Sequence, residues 1–150
     1  MPKVGEMAPD FSLTTHHGCE LSLASLRGRK VLLWFFPEAE TPGCSVEGRG
    51  FRDHQAYFDD LNIAVVGVSF DSVERNAAFA EKERFGFPLL CDEARTLGLA
   101  YGACDEPKAR YARRISFLID EQGRIERVYD AVDPRDHPAQ VLADIVDSEA

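Results

Sequence analysis

No apolar run in these 150 residues exceeds the six at 31–36, far short of the ~20 residues that a helix needs to span a bilayer. Residues 1–13 hold no apolar segment of the kind a signal peptide requires, so the chain reads as soluble and cytoplasmic. Positive charge is scarce. Lys and Arg number 17 against 26 Asp and Glu, and the formal charge of -9 repels phosphate backbones and anionic lipid, excluding nucleic acid and membrane surfaces as partners. The one basic cluster, residues 108–114, is too short for a binding footprint and reads as a solvated loop feeding a strand. Cysteine is limited to positions 19, 44, 91 and 104, with no C-x-x-C pair. That pattern excludes a structural disulfide framework and points to intracellular redox chemistry at individual thiols. No tract is biased enough to mark a linker or repeat, so residues 1–150 are expected to form a single domain.

Hydrophobic patterning supplies the element order. Phe11 and Leu13, then Leu21 and Leu23, alternate with polar residues around His16-His17-Gly18, which predicts an N-terminal β-hairpin. The continuous run 31–36 predicts a strand buried on both faces, with further strands at 63–70 and 87–91. Phe51, Phe58 and Leu61 share one face of a helix expected over 41–60. Asp71-x-x-Glu74 resembles a capping box for a helix over 72–85 that stops at Gly86. A short helix with Ala94, Leu97 and Tyr101 inward ends at Gly102. A hairpin of strands 115–120 and 125–129 follows, and Pro138 opens a last helix with Val141, Leu142, Ile145 and Val146 on its inner stripe. Parallel crossovers followed by an antiparallel pair define an α/β protein with a mixed central sheet and helices on both faces, a thioredoxin-like fold.

In such a sheet the reacting site lies beyond the carboxyl ends of the parallel strands, where the loop 37–43 leaves the first of them. Thr41-Pro42 reads as an N-cap followed by proline at the first helical position, which puts Cys44 in the first turn, where unpaired backbone N–H groups favour a thiolate. Glu38 and Glu40 work against that. On spacing alone, a reactive thiol and a small buried hydrophobe are equal readings of Cys44. Adjacent histidines at 16 and 17 suggest a metal site only weakly, since neighbours in a tight turn cannot easily share one ion.

Residues 37–44, Pro-Glu-Ala-Glu-Thr-Pro-Gly-Cys, resemble the peroxiredoxin signature P-x-x-x-T-x-x-C. Thr41-Pro42-Gly43-Cys44 with Phe51-Arg52-Asp53 is similar to the bacterioferritin-comigratory (PrxQ) branch. The likeness runs from Val4-Gly5 and Ala8-Pro9-Asp10-Phe11, through Phe87-Pro88-Leu89-Leu90, to Arg114-Ile115-Ser116-Phe117-Leu118-Ile119-Asp120. It implies a thiol-dependent peroxidase acting on hydrogen peroxide and small organic hydroperoxides, with neither metal nor organic cofactor. It further implies a thioredoxin- or glutaredoxin-type reductant and a monomer or weak homodimer. By the same resemblance Cys44 is the peroxidatic nucleophile that becomes a sulfenic acid, Thr41 hydrogen-bonds the peroxide, Pro37 shields the nucleophile, and Arg114 holds thiolate and peroxide. By itself Arg114 reads as a surface arginine beside Arg113. The Arg-Ile-Ser-Phe context selects it.

The chain departs from that branch at both positions where a resolving cysteine is found, which hold Arg49 and Ala80 here. Cys91, Cys104 or an external thiol is left to reduce the sulfenic acid. Cys104 is the expected partner because residues 102–112 enter strand 115–120 at the sheet edge where Cys44 emerges, and Gly102, Pro107 and a polar composition suggest mobility. Two rival readings share the site: a disulfide reductase, which wants a second cysteine at the helix start, and a peroxide sensor or holdase, in which oxidation of Cys44 signals to a partner.

Overall fold

A computed structural model describes residues 1–130 and 132–149. β3 (Lys30–Phe35) has buried neighbours on both faces, which is why its sequence is apolar without alternation. Its register is parallel to β4 (Ile63–Ser69) on one side and antiparallel to β6 (Ile115–Ile119) on the other. β5 (Leu89–Cys91) extends the sheet parallel to β4, and β7 (Ile125–Asp130) closes the opposite edge antiparallel to β6, giving the order β5-β4-β3-β6-β7. Val31, Leu33 and Phe35 enter one core with Phe70, Leu97, Tyr101 and Phe117. Leu32, Trp34 and Phe36 enter the other with Phe51, Phe58, Phe79 and Val141, so the alternation of β3 feeds two cores on two faces. The expected mixed sheet with helices on both faces is the observed one.

The N-terminal hairpin is present as β1 (Ser12–Thr14) and β2 (Glu20–Ser22). Its turn covers the β5 edge: Thr15 bridges to Leu90, and His16 Nδ1 accepts a hydrogen bond from the Leu89 N–H at 3.0 Å. That use of the ring gives His16 a structural role at the hairpin turn. Burial, helped by His17, lowers the His16 pKa and keeps it an acceptor.

Helix ends depart from the expectations. The helix expected over 41–60 is two, α1 (Pro42–Asp53) and α2 (Gln55–Asp60), broken at His54. His54 leaves helical geometry (φ −102°, ψ 5°), and its Nδ1 donates to the Gly50 carbonyl at 2.8 Å. Phe51 and Phe58 both stay in the core across the break. α3 (Val73–Glu83) is capped by Ser72, whose hydroxyl accepts from the Arg75 N–H. Asp71, expected to be that cap, instead accepts from the Ala39 N–H at 2.8 Å. α3 stops at Arg84, in the left-handed region at φ 57°, before reaching Gly86. β5 is shorter than expected because Pro88 has no N–H to donate. Ala94 lies exposed ahead of α4 (Thr96–Tyr101). α5 (His137–Glu149) completes the face that carries α1, and Val141 and Ile145 enter its core as expected, while Val146 stays exposed. No helix of the described residues is long and apolar enough to cross a membrane.

Candidate active site

Proline's fixed φ and missing N–H suit the first position of α1, and Thr41 precedes it in an extended conformation (φ −77°, ψ 152°). Thr41 is the N-cap by position but makes no side-chain cap: its hydroxyl donates to the Glu38 carbonyl at 2.8 Å. The Thr41 hydroxyl therefore does not compete for the first-turn N–H groups of Gly43 and Cys44, while the Thr41 carbonyl takes that of Ser45 at 2.9 Å. The loop is pinned from below by Asp71 on Ala39 and by Arg75, which reaches Asp71 at 3.1 Å and Glu38 at 3.7 Å. Glu38 is thus held by Arg75 and Glu40 is exposed. Pro37 sits half-buried where β3 gives way to this loop.

Cys44 is fully buried in the first turn of α1. Arg114, at the entry to β6, sends Nη2 to within 3.5 Å of Cys44 Sγ and Nη1 to 2.7 Å from Glu47 Oε1. The antiparallel pairing of β6 with β3, Phe35 opposite Ile115, brings Arg114 to the end of β3 from which Cys44's loop departs. A Cβ at position 43 would stand 2.9 Å from Arg114 Nη2, so glycine between Pro42 and Cys44 leaves room for the guanidinium. Burial works against the Arg114 charge, but the Cys44 sulfur and Glu47 outweigh it and raise its pKa. Such a guanidinium, together with a helix N-terminus, favours a sulfur anion and any negative charge that develops beside it.

Glu47 did not stand out in the sequence, where a glutamate one turn into a helix reads as solvated. It is fully buried, and burial lifts its carboxyl to about 7 against the opposing pull of Arg114. Its Oε2 has no hydrogen-bond partner among the described residues. The signal that could have found it is the i,i+3 spacing from Cys44, which puts both on one helical face. His137 was also missed. It lies fully buried between Phe51 and Tyr129, with Nε2 2.8 Å from Ser116 Oγ, and burial drives its pKa down to about 4.

The remaining thiols stand apart. Cys104 belongs to the core on the opposite face of the sheet from that of Cys44, beneath α4, and is 6 % exposed. The polar residues around it reach solvent while its own side chain packs inward, a distinction composition does not carry. Burial raises the Cys104 thiol. Cys91 ends β5, where it accepts from Asn76 Nδ2 at 3.5 Å, and burial raises it too. Cys19 is exposed in the hairpin. Among the described residues no group of three or more His, Cys, Asp or Glu could hold a metal ion.

A buried thiol at a helix start, faced by a guanidinium from an antiparallel neighbour strand on a mixed sheet, defines a thioredoxin-like thiol peroxidase as the class of protein. Comparison then gives the family. The model of the AhpC/TSA family matches residues 4–128. A putative peroxiredoxin bcp of Coxiella burnetii is 39% identical over 146 residues, covering 93% of this chain and 96% of that one. The crystal structure of peroxidoxin BcpB from Mycobacterium tuberculosis superposes with a TM-score of 0.88 at 32% identity, over 95% of this chain and 96% of the other. A Xanthomonas campestris bacterioferritin comigratory protein, described for its alkyl peroxide reduction activity, gives 0.90 at 25% identity over 99% and 100%. The chain belongs to the AhpC/TSA family, as a peroxiredoxin of the bacterioferritin-comigratory (PrxQ) branch, and is a thiol-dependent peroxidase.

Proposed function

We propose that Cys44 is the peroxidatic nucleophile of a one-cysteine cycle acting on hydrogen peroxide and small alkyl hydroperoxides in the cytoplasm. The observation that carries this is the 3.5 Å approach of Arg114 Nη2 to Cys44 Sγ, shared with the Glu47 ion pair. The Cys44 thiolate attacks the terminal peroxide oxygen, an S–O bond forms as the O–O bond breaks, and the electron pair leaves on the distal oxygen, which takes a proton to depart as water or alcohol. Arg114 stabilises that leaving charge, so its contribution grows towards the transition state. Thr41, its own proton committed to the Glu38 carbonyl, is left as an acceptor for the peroxide O–H and orients it. Pro37 shields the sulfur from water.

Resolution falls to an external thiol of the thioredoxin or glutaredoxin type, meeting the protein as a monomer or weak homodimer. The sulfenic acid and the incoming thiol form a mixed disulfide and water, and a second thiol releases Cys44. The separation of Cys104 across the sheet and the anchoring of Cys91 in β5 support this reading. Peptide mapping under non-reducing conditions after one equivalent of hydrogen peroxide tests it. We expect a Cys44 oxyacid or an adduct with added small thiol. A Cys44–Cys104 or Cys44–Cys91 cross-link formed at the rate of turnover would overturn the one-cysteine cycle.

A further inference from the structure

Asp71, just past the end of β4, is 7 % exposed, an unusual place for a carboxylate. Its own backbone is fixed: the Asp71 N–H donates to Ser69 Oγ at 3.3 Å, and the fully buried Asn76 of α3 donates to the same hydroxyl at 3.1 Å. From this anchor Oδ2 accepts the Ala39 N–H at 2.8 Å, and Oδ1 meets Arg75 at 3.1 Å. The peptide group that Asp71 holds is the one joining Glu38 to Ala39. Its other end is the Glu38 carbonyl, which accepts the Thr41 hydroxyl at 2.8 Å. A peptide group is planar, so fixing its N–H fixes the direction of its C=O. Asp71 and Thr41 therefore grip opposite ends of one rigid plate, and a carboxylate on the N–H polarises the carbonyl into a better acceptor.

Glu40, between that plate and Thr41, is an exposed non-glycine residue in the left-handed region at φ 66°. Such a conformation persists where its surroundings impose it. Bonds on both sides do so here: Asp71 holds Ala39 before it, and after it the Thr41 carbonyl accepts the Ser45 N–H at 2.9 Å, one residue beyond Cys44. Ala39 and Cys44 share a core.

We propose that Asp71 is a positioning residue of the peroxidase, which orients the 38–39 peptide and so aims the free lone pair of the Thr41 hydroxyl at the peroxide. The inference rests on the reading of Thr41 as acceptor for the peroxide O–H. Asp71 acts only through Thr41, so its loss costs no more than the loss of the Thr41 hydroxyl and costs little once that hydroxyl is gone.

A double-mutant cycle tests this, with the rate of Cys44 oxidation by hydrogen peroxide read by stopped flow. We expect Thr41→Val to slow oxidation by roughly 10²-fold and Asp71→Ala by about 30-fold, the scale of a misplaced group. In the Thr41→Val background Asp71→Ala should cost less than about threefold, whereas in Arg114→Ala, which leaves Thr41 in place, it should keep its full effect. Asp71→Asn should return to within about threefold of wild type, because its carbonyl oxygen still accepts the Ala39 N–H while the half-exposed Arg75 swings away from the new amide. Should Asp71→Ala fail to fold, Asp71→Ser, too short to reach Ala39, takes its place in the cycle. A loss that persists undiminished in Thr41→Val, an Asp71→Asn as slow as Asp71→Ala, or an Asp71→Ala at the wild-type rate would overturn the proposal and leave the Thr41 reading standing. A Thr41→Val that oxidises at the wild-type rate would remove the reading of Thr41, and the role of Asp71 with it.

Discussion

Cys44 and Cys104 are 0 % and 6 % exposed, on opposite faces of one sheet. Burial is therefore not what separates them. Around Cys104 the environment is the apolar core beneath α4, and burial raises its thiol. Around Cys44 the same degree of burial holds a guanidinium at 3.5 Å, a helix start without a side-chain cap, and a carboxyl that shares the guanidinium. Removing water from a thiol suppresses it when nothing replaces the water, and prepares it when fixed charge does.

The comparison breaks most sharply at the sulfurs themselves. Cys44→Ser should abolish peroxide consumption, whereas Cys104→Ser should hold turnover within about twofold with any external thiol reductant. Stopped-flow peroxide decay reads both, and appreciable turnover without Cys44 would remove it as the nucleophile. Next in size is the charge. Arg114→Ala should slow Cys44 oxidation by roughly 10²–10³-fold, the scale of losing one transition-state donor. Arg113→Ala should do little, since Arg113 pairs with Asp105 and the Gly102 carbonyl. Equal losses from the two would mean that net charge, and not contact, sets the rate.

Gly43→Ala tests distance with every charge kept. The added Cβ would stand 2.9 Å from Arg114 Nη2, and the flexible end of the arginine can retreat at little cost to the fold. We expect a stable protein whose Cys44 oxidation falls about tenfold, because a shift of under 1 Å moves the donor off the reacting sulfur. An unchanged rate would show that the 3.5 Å contact is not what activates Cys44.

The succession of elements along the chain and the position of Cys44 in the first helical turn were legible because both follow from local patterns: continuous apolar runs for buried strands, alternation for the hairpins, proline at the first helical position. Arg114 was legible only through its motif. What the sequence hid was decided by long-range packing. Asp71 looked like a helix cap because that pattern is local, but the Ala39 N–H, 32 residues away, claims it. Glu47 and His137 look solvated in sequence because nothing local says that Arg114 and Ser116 will be waiting for them. The side chain of Cys104 is core although its neighbours in sequence are polar.

The smallest expected effect concerns those two hidden groups, both on the Cys44 face, and it appears in stability before it appears in rate. His137 is held neutral with a pKa of about 4, below the 6.5 of an unfolded histidine. Between these values the unfolded chain takes up a proton that the folded chain refuses, so this contribution is lost as pH falls from 6.5 to 4. Glu47 runs the other way. Its carboxyl titrates near 7 against 4.5 unfolded, so the folded chain keeps a proton that the unfolded chain releases, and stability is lost as pH rises from 4.5 to 7. The windows overlap from 4.5 to 6.5, where the two slopes cancel. His137→Gln, which retains a partner for Ser116, should therefore gain melting temperature relative to wild type on going from pH 7 to pH 5. Glu47→Gln should lose it over the same interval. Each change is bounded by about 3 kcal/mol, on the order of ten degrees for a chain of this size, and thermal melts at the two pH values read the difference. Parallel pH profiles for wild type and His137→Gln would show that the imidazole is not held neutral in the fold, and would leave the Glu47 slope without its counterweight.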